Sequence, residues 1–337
     1  MGAGEVARWA AVDTEYSACS VEVRGALVAT GTYQVAQVEG EEGVGEAPPT
    51  QRLGRLYMHR IGAEEGEEGG LALTEVERVE RAAVLDMKWR PGEEARLGVA
   101  DAGGRLTVYS VGEEGEGGLV EEASLATIPG LALALDWTTD GGLAASDSKG
   151  GLAVAAWGAA GLEEVWRAEG HGFEAWTVSC SRHHPALLYS GGDDCAFVLW
   201  DTRVEGRVGR NTREHSMGVT TATTSREEEQ VVWTGSYDEQ VRTWDTRSLK
   251  APVAAVAVGG GVWRVRERAG RLLVAAMHDG FKVVEGGAVV AEYRGHGSLA
   301  YGADWVAEGV AGRGEGWATA ATCSFYDHQL HLWSVRL

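Results

Sequence analysis

Seven four-stranded blades arranged as an all-β disc are what this chain predicts, and three observations carry the prediction. A unit recurs about every 40 to 52 residues, and its clearest copies end Ser190-Gly191-Gly192-Asp193-Asp194…Trp200-Asp201, Thr234-Gly235-Ser236-Tyr237-Asp238…Trp244-Asp245 and Cys323-Ser324-Phe325-Tyr326-Asp327…Trp333. In all three an Asp stands six residues before a Trp. The composition suits turn-rich strands, with 49 Gly, 6 Pro and 13 Trp. This is the WD-repeat signature, so the fold class is a seven-bladed WD40 β-propeller that uses residues 1–337 as one domain.

Taken in order, the third strands of the blades end near Tyr57, Tyr109, Ala155 to Trp157, Trp200, Trp244, Val284 and Trp333. Each follows a short alternating run such as Leu106-Thr107-Val108-Tyr109 or Val241-Arg242-Thr243-Trp244. The sequence ends four residues after Trp333, so the last blade needs an outer strand from elsewhere. Residues 6–12 precede the first blade and can supply it, which ties the ends together and removes an open sheet edge. Acidic, Gly-rich insertions at 38–49, 62–70, 113–118 and 205–212 read as solvated loops.

Charge narrows the partners. Lys and Arg number 30 against 50 Asp and Glu, a net charge of −20. Direct nucleic-acid binding needs a basic stripe and is not expected, whereas a basic or cationic partner suits the balance. Cys19, Cys180, Cys195 and Cys323 show no paired spacing, and no signal peptide opens the chain. A reduced, cytoplasmic setting follows as the expectation. No apolar run approaches a membrane span, and residues 1–6 lack the Ser/Thr of a myristoylation site.

The obvious polar residues have a structural reading. WD repeats hold a buried hydrogen-bonded set of His, Ser/Thr, Asp and Trp. His171, Ser190, Asp194 and Trp200 fit it, as do His215, Thr234, Asp238 and Trp244. His296 and Asp327 form a partial set with Trp333, with Cys323 in place of the hydroxyl. Common catalytic signatures such as G-x-S-x-G, H-E-x-x-H or a P-loop are absent. His183 and His184 precede Pro185 in a turn, and His328 and His331 point to opposite faces of a strand. Neither a metal nor a cofactor is expected.

What the repeat leaves unexplained gathers in two loop types that share one face: before first strands, and between second and third strands. The first group includes Asp13, Glu15, Tyr16, Glu174, Trp176, Gly260, Gly261, Trp263, Tyr301, Asp304 and Trp305; the second includes Tyr237, Glu239, His278 and Tyr326. Carboxylates, aromatic faces and a histidine around one mouth make a site for a cationic group, including a quaternary ammonium. The sixth blade ends Lys282-Val283-Val284 without a third-strand Trp. His278 is therefore either a general base at the mouth or a substitute for the turn Asp.

The same segments resemble a known family. Asp13-Thr-Glu-Tyr-Ser17, Gly54-Arg-Leu-Tyr57, Asp86-Met-Lys-Trp89, Phe173-Glu-Ala-Trp176, Gly260-Gly-Val-Trp263, Tyr301-Gly-Ala-Asp-Trp305 and Ala321-Thr-Cys-Ser-Phe-Tyr-Asp-His328 resemble the diphthine methyl ester hydrolases, the diphthine methyltransferase-like WD proteins of the eukaryotic diphthamide pathway. The resemblance implies a protein substrate, elongation factor 2. One of its histidines carries an aminocarboxypropyl group with a trimethylammonium beside a methyl ester; the family removes the ester methyl, and amidation follows. Other enzymes of that pathway are implied as partners. On this reading His278 activates water, and Glu174, Glu239 or Asp304 orients it. Backbone amides at 259–261 face the developing oxyanion, and Asp13, Glu15, Tyr16, Trp176, Gly260, Gly261, Trp263, Tyr301 and Tyr326 bind substrate. A nucleophilic Ser17 or Ser324 is the second mechanism. The rival functions are a non-catalytic scaffold, one that recruits the amidating enzyme included, and a cullin-4 ligase receptor, the latter from Trp200-Asp-Thr-Arg203 and Trp244-Asp-Thr-Arg247.

Overall fold

The computed structural model describes residues 5–36, 50–63, 70–112, 118–310 and 316–337. These residues form strands, turns and loops with no helix, and the strands make seven four-stranded antiparallel sheets. Blades one to six span residues 17–82, 84–126, 132–169, 177–211, 219–257 and 264–293 in chain order. The seventh joins Ala300–Trp305, Trp317–Ser324 and Gln329–Arg336 to the N-terminal strand Val6–Asp13. All seven expected third-strand positions fall on third strands.

The closure is antiparallel, from Val6 opposite Val335 to Asp13 opposite Gln329. Trp9 fixes it by donating from Nε1 to Ser334 Oγ at 2.7 Å, while its ring packs on the apolar cluster of Val21, Leu330 and Leu332. Three of the acidic insertions, at 38–49, 62–70 and 113–118, lie largely or wholly outside the described residues. The fourth is a correction: within 205–212, Arg207–Asn211 is the outer strand of the fourth blade, paired with Phe197–Asp201. Its Arg-Val-Gly-Arg-Asn sequence lacks apolar alternation because an outer strand buries little and has one unpaired edge.

Blades pack face to face through the repeat residues. Trp200, Trp244 and Trp333 of the repeat are fully buried, as is Trp137 at the end of a first strand. Truncating a Trp of this kind to Ala costs roughly 3–5 kcal/mol. Second-strand glycines let neighbouring blades close up: a Cβ on Gly191 would overlap Val219 of the next blade, and one on Gly235 would overlap Val262. Inner strands are also stitched by carboxylates. Asp86 accepts from Leu135 N at 3.1 Å, Asp136 from Cys180 N at 2.8 Å and Asp304 from Val23 N at 2.7 Å. Each bond runs from one blade to the next, and the last of them closes the ring from seventh to first.

Candidate functional site

The polar WD sets bond within the blades. His171 Nε2 lies 2.8 Å from Ser190 Oγ, which also accepts Trp200 Nε1 at 2.8 Å, and His171 Nδ1 lies 2.8 Å from Asp194. In the fifth blade Thr234 joins His215 at 2.9 Å to Trp244 at 2.7 Å. The seventh blade departs from expectation. Thr322, not Cys323, bridges His296 Nε2 at 2.9 Å and Trp333 Nε1 at 3.0 Å. The reason is strand alternation: Thr322 shares its face with His296 and Trp333, and Cys323 points to the other side.

Ser324 sits between His296 Nδ1, at 2.5 Å, and the Asp327 carboxylate, to which its hydroxyl donates. This order is the reverse of a serine-hydrolase relay, in which His stands between Ser and Asp. Ser324 is fully buried, and burial, with His331 stacked at 3.8 Å, pushes the His296 imidazole down to about 2. Ser324 is thus tied into the hydrogen-bonded set of the seventh blade.

Loops before first strands and between second and third strands do meet at one mouth of the ring, and there the aromatic residues form a continuous arc. Trp176 lies 5.7 Å from Trp263 and 6.5 Å from Tyr237 between ring centroids. Tyr237 and Trp263 are 6.2 Å apart, and Trp263 continues to Tyr301 at 4.5 Å. From Tyr301 the arc runs to Phe325 at 4.8 Å, which contacts Tyr326 at 4.9 Å and Tyr33 at 6.1 Å. Tyr326 stands out from the surface at 69% exposure. Ring pairs at these separations stabilise one another by about 0.5–1.5 kcal/mol, which fixes the faces they present.

Carboxylates bear on one end of the arc. Asp193 accepts the Trp176 indole N–H at 3.1 Å. Burial, then the charges of Asp193 and Glu174, push the Tyr237 hydroxyl up to about 12. Trp176, Tyr237 and Trp263 together with Asp193 and Glu174 thus combine π faces with negative charge, the chemistry that holds an organic cation. Glu239 is exposed at the left-handed position of its turn, with φ 66°. Asp193 carries more of this corner than the sequence assigned it, because it sits inside a repeat copy beside Asp194 and reads as a repeat residue.

The N-terminal group is on the same face but engaged. Glu15 pairs with Arg55 at 2.6 Å and Arg78 at 3.1 Å, and Arg55 foremost holds its carboxyl below the usual range. The Tyr16 ring already carries the Arg55 guanidinium 4.2 Å from its centroid. Asp13 accepts Glu15 N at 2.7 Å within the turn. Asp13 and Glu15 remain exposed and Tyr16 half-buried, so these contacts set the shape of the mouth at this end.

His278 occupies the position that Tyr237 holds in the fifth blade and Tyr326 in the seventh. The turn aspartate is its neighbour Asp279, which pairs with Lys282 at 2.7 Å and with Arg294. Hence His278 does not replace it, and its ring is exposed. The adjoining glycines are demanded by packing: a Cβ on Gly260 would overlap Ala276 O, and one on Gly261 would reach 3.0 Å from the Met277 sulfur.

Asp304 and Trp305 require a correction. Both stand at the far end of Ala300–Trp305 from Tyr301. Asp304 lines a cavity of about 600 Å³ at the opposite mouth with Glu22, Asp86, Lys88, Arg264 and Arg266, and Trp305 Nε1 donates to Arg266 O at 3.2 Å. Three strand residues span about 10 Å, which carries the chain from one mouth toward the other. Among the described residues no group of three or more His, Cys, Asp and Glu is placed to hold a metal ion, and no helix is long and apolar enough to cross a membrane.

Fold and site define a WD-repeat β-propeller with an acidic, aromatic mouth. Solved propellers share its architecture: the WD40 propeller domain of Doa1, with a TM-score of 0.73 and 10% identity, covers 97% of this chain and 96% of its own. A chain of the mitotic checkpoint complex gives a TM-score of 0.69 at 15% identity over 100% of this chain and 94% of that one. Relatives in sequence are narrower in kind. Human diphthine methyltransferase is 35% identical over 87% of this chain and 73% of that protein, and the mouse protein 36% identical over 88% and 68%. The Schizosaccharomyces pombe protein of the same name is 32% identical over 74% of this chain and 78% of its own. No family model matches the chain. The chain belongs to the diphthine methyltransferase family.

Proposed function

We propose that this protein acts in diphthamide biosynthesis as a carboxylic ester hydrolase, removing the methyl ester of diphthine on elongation factor 2 in the cytoplasm. The observation that carries the proposal is the corner where Trp176, Tyr237 and Trp263 meet Asp193 and Glu174. A trimethylammonium cannot donate a hydrogen bond, so its recognition rests on π faces and carboxylates. Tyr301 and Tyr326 extend the surface toward the rest of the modified side chain and its protein.

In this reaction water attacks the ester carbonyl carbon, the bond to the methoxy oxygen breaks, and methanol leaves. His278 takes the proton from water and returns it to the departing methoxide. Glu174 or Glu239 orients the imidazole, and the amides of Gly260 and Gly261 donate to the developing oxyanion. Asp304, at the other mouth, has no part. The relatives' name speaks of methyl transfer; in the proposed reaction water is the acceptor of the acyl group.

The test is to mix the purified protein with elongation factor 2 bearing the methyl-ester intermediate, without nucleotide, methyl donor or added metal, and to follow the modified peptide by mass spectrometry. A loss of 14 Da, about one CH₂, with one methanol per peptide is the expected result. An unchanged ester beside well-folded protein would overturn the esterase and make the mouth a docking surface of a scaffold.

A further inference from the structure

The rim of the disc between the fourth and fifth blades carries a groove that the mouth chemistry does not use. It is an open trough of about 660 Å³ lined by residues 209–213 and 247–250. Four of these nine are Arg210, Arg213, Arg247 and Lys250, and none is acidic, although acidic residues outnumber basic ones 50 to 30 in the chain. Arg247 is turned to Asp245, and Arg210 reaches Asp194 at 3.2 Å. Arg213 and Lys250 are exposed and form no ion pair among the described residues.

The groove is built rather than incidental. Asn211 Nδ2 donates to Leu249 O at 2.8 Å and Lys250 O at 3.2 Å, which fixes the loop of the fifth blade against the outer strand of the fourth. Gly209 leaves room for Leu249 to form the floor, since a Cβ there would come within 3.2 Å of its side chain. One wall is Arg207–Asn211, the last strand of its sheet, with an unpaired backbone edge and Val208 51% exposed. A basic groove beside a free strand edge fits an extended chain that supplies carboxylates and backbone hydrogen bonds together.

We propose that this groove docks an extended acidic polypeptide segment of a partner protein. The probe is a fluorescein-labelled ten-residue polyglutamate peptide, titrated with the full chain and read by anisotropy at low and at physiological salt. Saturable binding that weakens with salt is expected, and Arg213→Glu with Lys250→Glu should weaken it at least tenfold. Thermal unfolding checks that the double variant folds, and the milder Arg213→Ala with Lys250→Ala should give an intermediate loss. No binding by the parent chain, or equal binding by both double variants, overturns the proposal. Full competition by millimolar inorganic phosphate would also overturn it, in favour of a simple anion site. The esterase assay is independent, since none of these residues lies at the aromatic mouth.

Discussion

At the residue scale, His278 and Asp279 divide the work of one turn. The aspartate holds Lys282 and Arg294, which leaves the imidazole exposed at the mouth. His278→Ala should lower ester hydrolysis about 100-fold or more with unchanged thermal unfolding; full activity in the variant would remove His278 from the chemistry. Trp263→Ala, or Tyr326→Ala, should raise KM more than it lowers kcat, because a face that only holds the cation acts alike in ground and transition states. Steady-state kinetics showing the opposite pattern would count against aromatic recognition. The aromatics of this corner were legible in the sequence as residues that the repeat does not need. Asp193 was hidden because it stands next to the repeat Asp194, and the Arg55 contacts of Glu15 and Tyr16 were hidden because they join positions about 40 residues apart. Buried imidazoles add a pH dependence. Burial, with Arg8 contributing, lowers His331 to about 4; burial and the charges of His331 and Arg8 lower His296 to about 2. An unfolded histidine titrates near about 6.5. Below that pH the unfolded chain takes up protons that the folded chain does not, so stability present above pH 6.5 is lost as pH falls toward 4. The urea midpoint should therefore be lower at pH 5 than at pH 7, and equal midpoints would mean that these rings are not held neutral.

At the scale of elements, the closing strand has the clearest consequence. Val6–Asp13 covers the edge of Gln329–Arg336, and Trp9, Ala10 and Val12 pack onto the cluster between the seventh and first blades. Removing residues 5–13 should lower the melting temperature and produce concentration-dependent association, seen by calorimetry and size-exclusion chromatography, because a strand edge and an apolar surface are both exposed. An unchanged melting temperature would show that closure contributes nothing. The strand was readable from sequence because the last repeat is one strand short. Arg207–Asn211 was not, since its burial is too slight to impose a pattern.

At the scale of the whole molecule, seven blades and their ring closure followed from repeat spacing, whereas the assignment of residues to one mouth or the other did not always follow. Tyr301 and Asp304 are three apart in sequence, yet one joins the aromatic arc and the other the charged cavity at the opposite end of the channel. Asp86, Asp136 and Asp304 share one task along the inner strands, bonding the backbone of the next blade, and that signal lies in register rather than in a motif. The meeting of the two ends in one sheet, with Arg336 N donating to Glu5 O at 2.9 Å, means that the order in which the blades are synthesised is not dictated by the order in which they stand. A circular permutant that joins those ends through a short Gly-Ser linker and opens the chain between the third and fourth blades would keep every strand pairing, and the aromatic corner would then be assembled from the first segments to leave the ribosome instead of the middle ones.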